Sequence, residues 1–83
     1  MPPYGIEWFD KARADVRRLD RATAMRVFNY VFHYARTGVG NVEPLHGAMA
    51  GSFRLRAGDY RIFTLENDTI RIFGVRHRSE AYQ

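Results

Sequence analysis

The sequence predicts an α+β domain, two N-terminal helices packed on one face of a twisted antiparallel sheet of about four strands. Three observations carry that expectation. Residues 10–36 space their apolar side chains three and four apart, the helical period, whereas residues 52–76 alternate with a period of two. Gly58-Asp59 and Asn67-Asp68 interrupt the alternating stretch with pairs suited to tight hairpins. The chain has 83 residues, enough for one core and not for two, so residues 1–83 read as a single domain.

Each element follows in order. Tyr4 to Phe9 can form a short first strand. Ala12, Val16 and Leu19 mark a short amphipathic helix with Asp10 as its N-cap, exposing Lys11, Arg13, Arg17 and Arg18. Asp20 caps a second helix that runs to about Arg36 and is stopped by Gly38. Ala24, Phe28, Val31, Phe32 and Ala35 line one side of it, and Val27, Tyr30 and Tyr34 widen the stripe, so this helix packs on two sides. Thr37 to Gly51, with four glycines and Pro44, reads as a loop in which Leu45 tucks inward and His46 is a surface histidine. Ser52–Ala57, Tyr60–Glu66 and Thr69–Arg76 then form an antiparallel meander.

Composition excludes several classes of function. At 46% hydrophobic and 14% aromatic residues, the chain is not disordered. It has no cysteine, which removes a disulfide framework, a thiolate metal site and a Cys nucleophile. No pair of carboxylates or histidines has ligand spacing, so no metal cofactor is expected. No apolar run approaches the roughly 20 residues of a membrane span. The N-terminus shows no signal peptide, so the cytoplasm is the expected location and a membrane is not an expected partner. Lys+Arg total 13 against 9 Asp+Glu, for a net charge of +4, and Lys11 is the only lysine. Arginine's planar fork suits phosphate, so the balance points to a polyanion or an acidic protein; solvated charge on helix faces gives the same count.

Strand pairing gathers the arginines. With two-residue loops in both hairpins, Arg56 lies opposite Arg61, Leu55 opposite Ile62, and Arg61 opposite Gly74. One sheet face then collects Phe53, Leu55, Tyr60, Ile62, Phe73 and Val75 beneath the helices. The other collects Arg54, Arg56, Arg61 and Arg76, with Phe63, Leu65, Ile70 and Ile72 at its far end. Like charges opposed across strands are destabilising, by about 0.2–1 kcal/mol per pair, so such a cluster points to an anion site. The competing reading splays the arginines into water or pairs them with Asp59 and Glu80, and a longer loop would change the register.

The segment Gly51-Ser-Phe-Arg-Leu-Arg-Ala-Gly-Asp-Tyr-Arg-Ile-Phe63, followed by Val75-Arg-His-Arg-Ser-Glu-Ala-Tyr82, resembles the RelE/ParE superfamily of bacterial type II toxins. The Leu45-His-Gly47 stretch and the helical hairpin match in order, so the resemblance covers most of the chain and is strongest from Gly51 onward. It implies a RelE-like microbial RNase fold. In the RelE branch it implies a metal-independent endoribonuclease that cuts mRNA, usually in the ribosomal A site, and so inhibits translation. It also implies a cognate antitoxin partner, helical and acidic, through which the complex binds operator DNA. By resemblance Arg54, Arg56, Arg61, Arg76 and Tyr82 fall at positions used for phosphate binding or cleavage; the position of Arg54 is often lysine in that branch. His77 follows a branch with histidine beside the last-strand arginine.

The chemistry of these residue types agrees. Metal-free RNA cleavage needs the 2′-OH activated, the phosphorane charge stabilised and the 5′-oxygen protonated, and arginines aimed at the phosphate supply the second. Histidine is the side-chain type that exchanges protons near neutral pH, so His77 is the candidate acid or base. In a regular strand, however, His77 points to the core face, opposite to Arg76, and reaches the site only if the strand ends or bulges. Tyr82 either stacks on a base or donates to phosphate, or else closes the apolar outer face. Arg78 either contacts backbone phosphate or is solvated. Because the same fold hosts unrelated activities, the alternative is a ParE-like inhibitor that binds DNA gyrase without nuclease chemistry.

Overall fold

The computed structural model describes residues 4–47 and 51–81. Its elements are β1 (Gly5–Trp8), α1 (Asp10–Arg17), α2 (Arg21–Thr37), β2 (Val42–Pro44), β3 (Ser52–Ala57), β4 (Tyr60–Glu66), β5 (Thr69–His77) and a short α3 (Arg78–Ala81). The sheet has five strands in the order β1-β5-β4-β3-β2. Two points differ from the expected four-stranded antiparallel sheet. β1 runs parallel to β5, because the helical pair carries the chain across the sheet before it returns. β2 adds an antiparallel edge beside β3. Its three residues include Pro44, which an edge strand tolerates and a sequence period cannot reveal.

The helices form for local reasons. Asp20 is the N-cap of α2 and accepts from the Thr23 backbone N–H at 3.2 Å. Gly38 ends that helix in the left-handed conformation, at φ 75°. Asp10, in contrast, is not a cap: Phe9 occupies that position, and Asp10 sits inside the first turn, where its charge suits the helix dipole. On α2 the buried stripe is Thr23, Val27, Val31, Tyr34 and Ala35. Phe32 is half exposed; it stacks on Phe28, whose ring meets Trp8 edge-on at 5.2 Å. α2 therefore buries one broad stripe against α1 and the sheet and leaves Phe32 at its open margin.

The core forms between this helix, α1 and one sheet face. Val27 and Val31 meet Leu55, Ile62, Ile70 and Ile72, all but fully buried, with Ala12 and Val16 of α1. Each such aliphatic side chain contributes about 1.5–3 kcal/mol on burial. At one end of the sheet the Tyr34 hydroxyl donates to Glu66 at 2.7 Å, and Thr64 donates to the other carboxylate oxygen. Burial first, and this anionic acceptor second, push the Tyr34 phenol far above its ordinary value.

The β4–β5 register departs twice from the simple hairpin. Glu66 pairs with Ile70, so the loop has three residues rather than two. Phe63 and Thr64 then pair with Gly74 and Ile72, which leaves Phe73 as an extra residue in β5, a β-bulge. Each departure shifts the pairing by one. Between them Ile70 and Ile72 turn to the core face, where both are fully buried, rather than to the outer face as expected. Phe73 turns outward instead, and its ring lies 5.9 Å from that of Phe63. Beyond the bulge the two shifts add and the parity is restored, so Arg76 stays on the outer face but stands opposite Arg61, where Gly74 was expected. Among the described residues no helix is long and apolar enough to cross a membrane.

Candidate nucleic-acid interface

Three adjacent strands bring three arginines into a row. Arg56 on β3 pairs directly with Arg61 on β4, and Arg61 pairs directly with Arg76 on β5. Strands lie about 4.8 Å apart, so the three backbone positions span roughly 10 Å, about the reach of one or two phosphates. Arg54 shares the face, two residues along β3 and opposite Phe63.

The four side chains are held differently. Arg61, in the middle, is 3% exposed, and its guanidinium donates to the backbone carbonyls of Gly58 and Tyr60 at 2.9 and 3.0 Å. The hairpin turn, which needs Gly58 at φ 61°, thus anchors the central arginine. Arg54 grips Glu43 of β2 through two donors, at 3.1 and 2.7 Å. Arg56 and Arg76 are exposed, and among the described residues neither side chain makes a hydrogen bond or ion pair. The row therefore has a fixed centre with a cation on either side.

Glu43 is the residue that the strand pattern missed. Pairing with Arg54 across β2 and β3 brings this carboxylate to the arginine face. The Arg54 hydrogen bonds, then the Arg54 charge, with smaller contributions from Arg56 and Arg61, hold its carboxyl below the usual range. The signal available in the sequence was an acid two residues before Leu45, in a stretch with no period to place it on a strand.

His77 is not on this face. β5 continues through it without a second irregularity, so it pairs with Tyr60 on the helix side, and the two rings meet edge-on at 5.4 Å. Its Nδ1 accepts from the Ser79 backbone N–H at 3.2 Å, which leaves the neutral ring's proton on Nε2. A cleft of about 470 Å³ opens beside it, walled by Lys11, Asp15, Arg18, Tyr60 and Glu80 and bordered also by Arg76. His77 and Arg76 thus border one cleft at the end of β5, though their side chains leave the strand on opposite sides.

Arg78 begins α3 and is tied back to the turn. Its backbone N–H donates to the Asp59 carbonyl at 2.8 Å, and its Nε lies 3.7 Å from the Asp59 carboxylate. Both side chains are well exposed, so this ion pair is weak, about 0–1 kcal/mol. Tyr82 lies outside the described residues. Among those described, no group of three or more His, Asp or Glu side chains is placed to hold a metal ion.

Residues 6–82 match the family model described as the ParE toxin of type II toxin–antitoxin systems, parDE. The sequence is 29% identical to Toxin RelG of Mycobacterium tuberculosis (strain ATCC 25618 / H37Rv) over 85 residues, covering 98% of each chain. The fold superimposes on the toxin–antitoxin complex RelBE2 from Mycobacterium tuberculosis with a TM-score of 0.84 and 28% identity, over 93% of this chain and all of that one. It also matches the archaeal RelE–RelB complex from Pyrococcus horikoshii OT3 in fold, with a TM-score of 0.76, 21% identity, and 96% and 100% coverage.

Proposed function

The chain belongs to the ParE toxin family of type II toxin–antitoxin systems, within the RelE/ParE superfamily, and from the arginines gathered on its sheet face we propose that it is a metal-independent mRNA endoribonuclease that acts on translating ribosomes. The observation that carries the reading is the row Arg56–Arg61–Arg76. Opposed like charges destabilise a sheet by about 0.2–1 kcal/mol per pair, and a phosphate laid across the row turns that repulsion into attraction.

The reaction is an in-line attack by the ribose 2′-oxygen on the adjacent phosphorus. The bond to the 5′-oxygen breaks, leaving a 2′,3′-cyclic phosphate on one fragment and a 5′-hydroxyl on the other. The proton lost from the 2′-OH is balanced by one gained at the leaving oxygen. Arg56, Arg61 and Arg76 grip the phosphate and stabilise the charge that builds on it. Arg54, steadied by Glu43, extends the grip, and Arg78 receives the neighbouring backbone. Proton transfer falls to the groups at the end of β5. His77 borders the same cleft as Arg76, so a ribose draped over that end meets both. Tyr82, five residues further, is assigned to stacking or to proton donation.

The partner is a cognate antitoxin, as in the RelBE2 and RelE–RelB complexes whose toxin chains this fold resembles, and the antitoxin carries any operator DNA contact. A helical, acidic antitoxin segment fits the helix side. There Trp8, Val16 and Phe28 line an apolar cleft beside the exposed Arg13 and Arg17, with Phe32 half exposed nearby.

Cleavage of mRNA on translating ribosomes tests the reading. Wild type should cut and leave cyclic phosphate ends, and Arg61→Ala and Arg76→Ala should each lose about a hundredfold or more in rate. Equal cleavage by all three would reject the site. Two observations favour a second reading, inhibition of DNA gyrase by binding alone: the family model is that of ParE toxins, and His77 stands behind the arginine face. Blocked supercoiling with mRNA left intact would establish it.

A further inference from the structure

β5 changes neighbours half-way along. Ile70 to Ile72 lie between β1 and β4, but β1 ends at Trp8, and from Phe73 onward β5 has a strand on one side only. A regular strand would turn Ile70, Ile72, Gly74 and Arg76 to the same face. The extra residue at Phe73 breaks that parity, so the isoleucines face the helices while Arg76 faces outward beside Arg61. The segment after the bulge must therefore keep its register with no second strand to hold it.

Asp15 stands where that strand is missing. It lies in the middle of α1, is 4% exposed, and is the one buried carboxylate among the described residues. Its Oδ2 accepts the Val75 backbone N–H at 2.9 Å, sixty residues away in sequence and next to Arg76. Its Oδ1 accepts from Lys11 Nζ and from an Arg18 guanidinium nitrogen, each at 2.6 Å. Those two cations, both largely exposed, fix the carboxylate from the solvent side. A Cβ on Gly74 would lie 3.8 Å from the same Oδ2, so the bulge glycine passes directly beside the carboxylate.

We propose that Asp15 is a positioning residue for the phosphate site: by holding the Val75 amide it fixes β5 beyond the bulge, and with it the alignment of Arg76 against Arg61 and Arg56. The proposal rests on reading that row as the phosphate site. Asp15 does not touch RNA in this scheme; it acts only through the strand. An ordinary buried ion pair between α1 and the sheet would stabilise the whole fold equally and would have no particular tie to Arg76.

A double-substitution cycle joined to amide exchange separates the two. RNA affinity and cleavage rate are measured for wild type, Asp15→Ala, Arg76→Ala and the double variant, with Asp15→Asn as the variant that keeps an acceptor oxygen. Hydrogen exchange is followed at Val75, Arg76 and Ile62. Asp15→Ala should speed exchange at Val75 and Arg76 about tenfold or more and leave Ile62 unchanged. It should weaken RNA binding several-fold in the wild-type background and not at all in the Arg76→Ala background. Asp15→Asn should restore most of both. Equal losses with and without Arg76, or unchanged exchange at Val75, would overturn the proposal. Rapid exchange at Val75 in the wild type would overturn it without any substitution, so the test survives even if Asp15→Ala does not fold. If the wild type neither binds nor cuts RNA, the phosphate reading falls, while the exchange data still decide whether Asp15 holds the strand.

Discussion

From Ile70 to Ile72, β5 has a strand on each side and turns two wholly buried isoleucines toward the helices. Between Val75 and His77 the same strand has one neighbour, carries an exposed arginine and a half-buried histidine, and is held at its open edge by one carboxylate. The first half secures the fold, and the second presents charge. The difference shows why opposed arginines are tolerable here. Their repulsion falls on a stretch anchored from outside the row, by Asp15 behind Arg76 and by the Gly58–Tyr60 carbonyls at Arg61.

The largest effect expected is in the first half. Ile72→Ala should destabilise the protein by about 2–5 kcal/mol, read from the denaturant midpoint, because the site is surrounded by packed side chains that cannot close the cavity. A loss under about 1 kcal/mol would show that this half is not the anchor.

The second half should reveal itself in acid. Burial pushes the Asp15 carboxyl up, but Lys11, the Val75 N–H and Arg18 outweigh it, so the group is held below the ordinary aspartate value of 3.8. A folded value below the unfolded one gives stability that is present above pH 3.8 and is lost as pH falls through the folded value. Wild type should therefore lose more melting temperature than Asp15→Asn between about pH 5 and pH 3. Parallel curves would mean that the carboxylate's charge adds no stability to the folded protein.

The smallest effect on stability belongs to the row itself. Arg56→Ala and Arg76→Ala should change stability by no more than about 0.5 kcal/mol, or raise it slightly by relieving opposed charge, while RNA cleavage collapses. A large loss of stability would instead make these arginines part of the scaffold.

Much of this contrast was visible in the sequence. The period of two set β3 and β4 to their observed bounds, Gly58-Asp59 gave their two-residue turn, and Asp20 and Gly38 framed α2. The arginine face could be read because Arg54, Arg56 and Arg61 share a parity in that one hairpin. Arg76 joined them in spite of a wrong register, since the loop and the bulge each add one residue and the two errors cancel. Between those shifts they do not cancel, which is why Ile70, Ile72 and Phe73 stand on the faces opposite to those that simple alternation predicts. A bulge leaves no mark in an alternating pattern when the residues around it are all apolar, as Ile70, Ile72 and Phe73 are. Three-residue β2, the parallel pairing of β1 and the reach of Asp15 to Val75 depend on contacts distant in sequence, which no local period encodes.

If the row grips phosphate, the salt dependence of RNA binding measures that grip most directly. With a short single-stranded RNA, the slope of log affinity against log salt should become shallower by about 0.7 for each phosphate contact removed, in Arg56→Ala and again in Arg76→Ala, with a similar loss for every RNA sequence tried. Affinity and slope unchanged by either substitution would contradict the account.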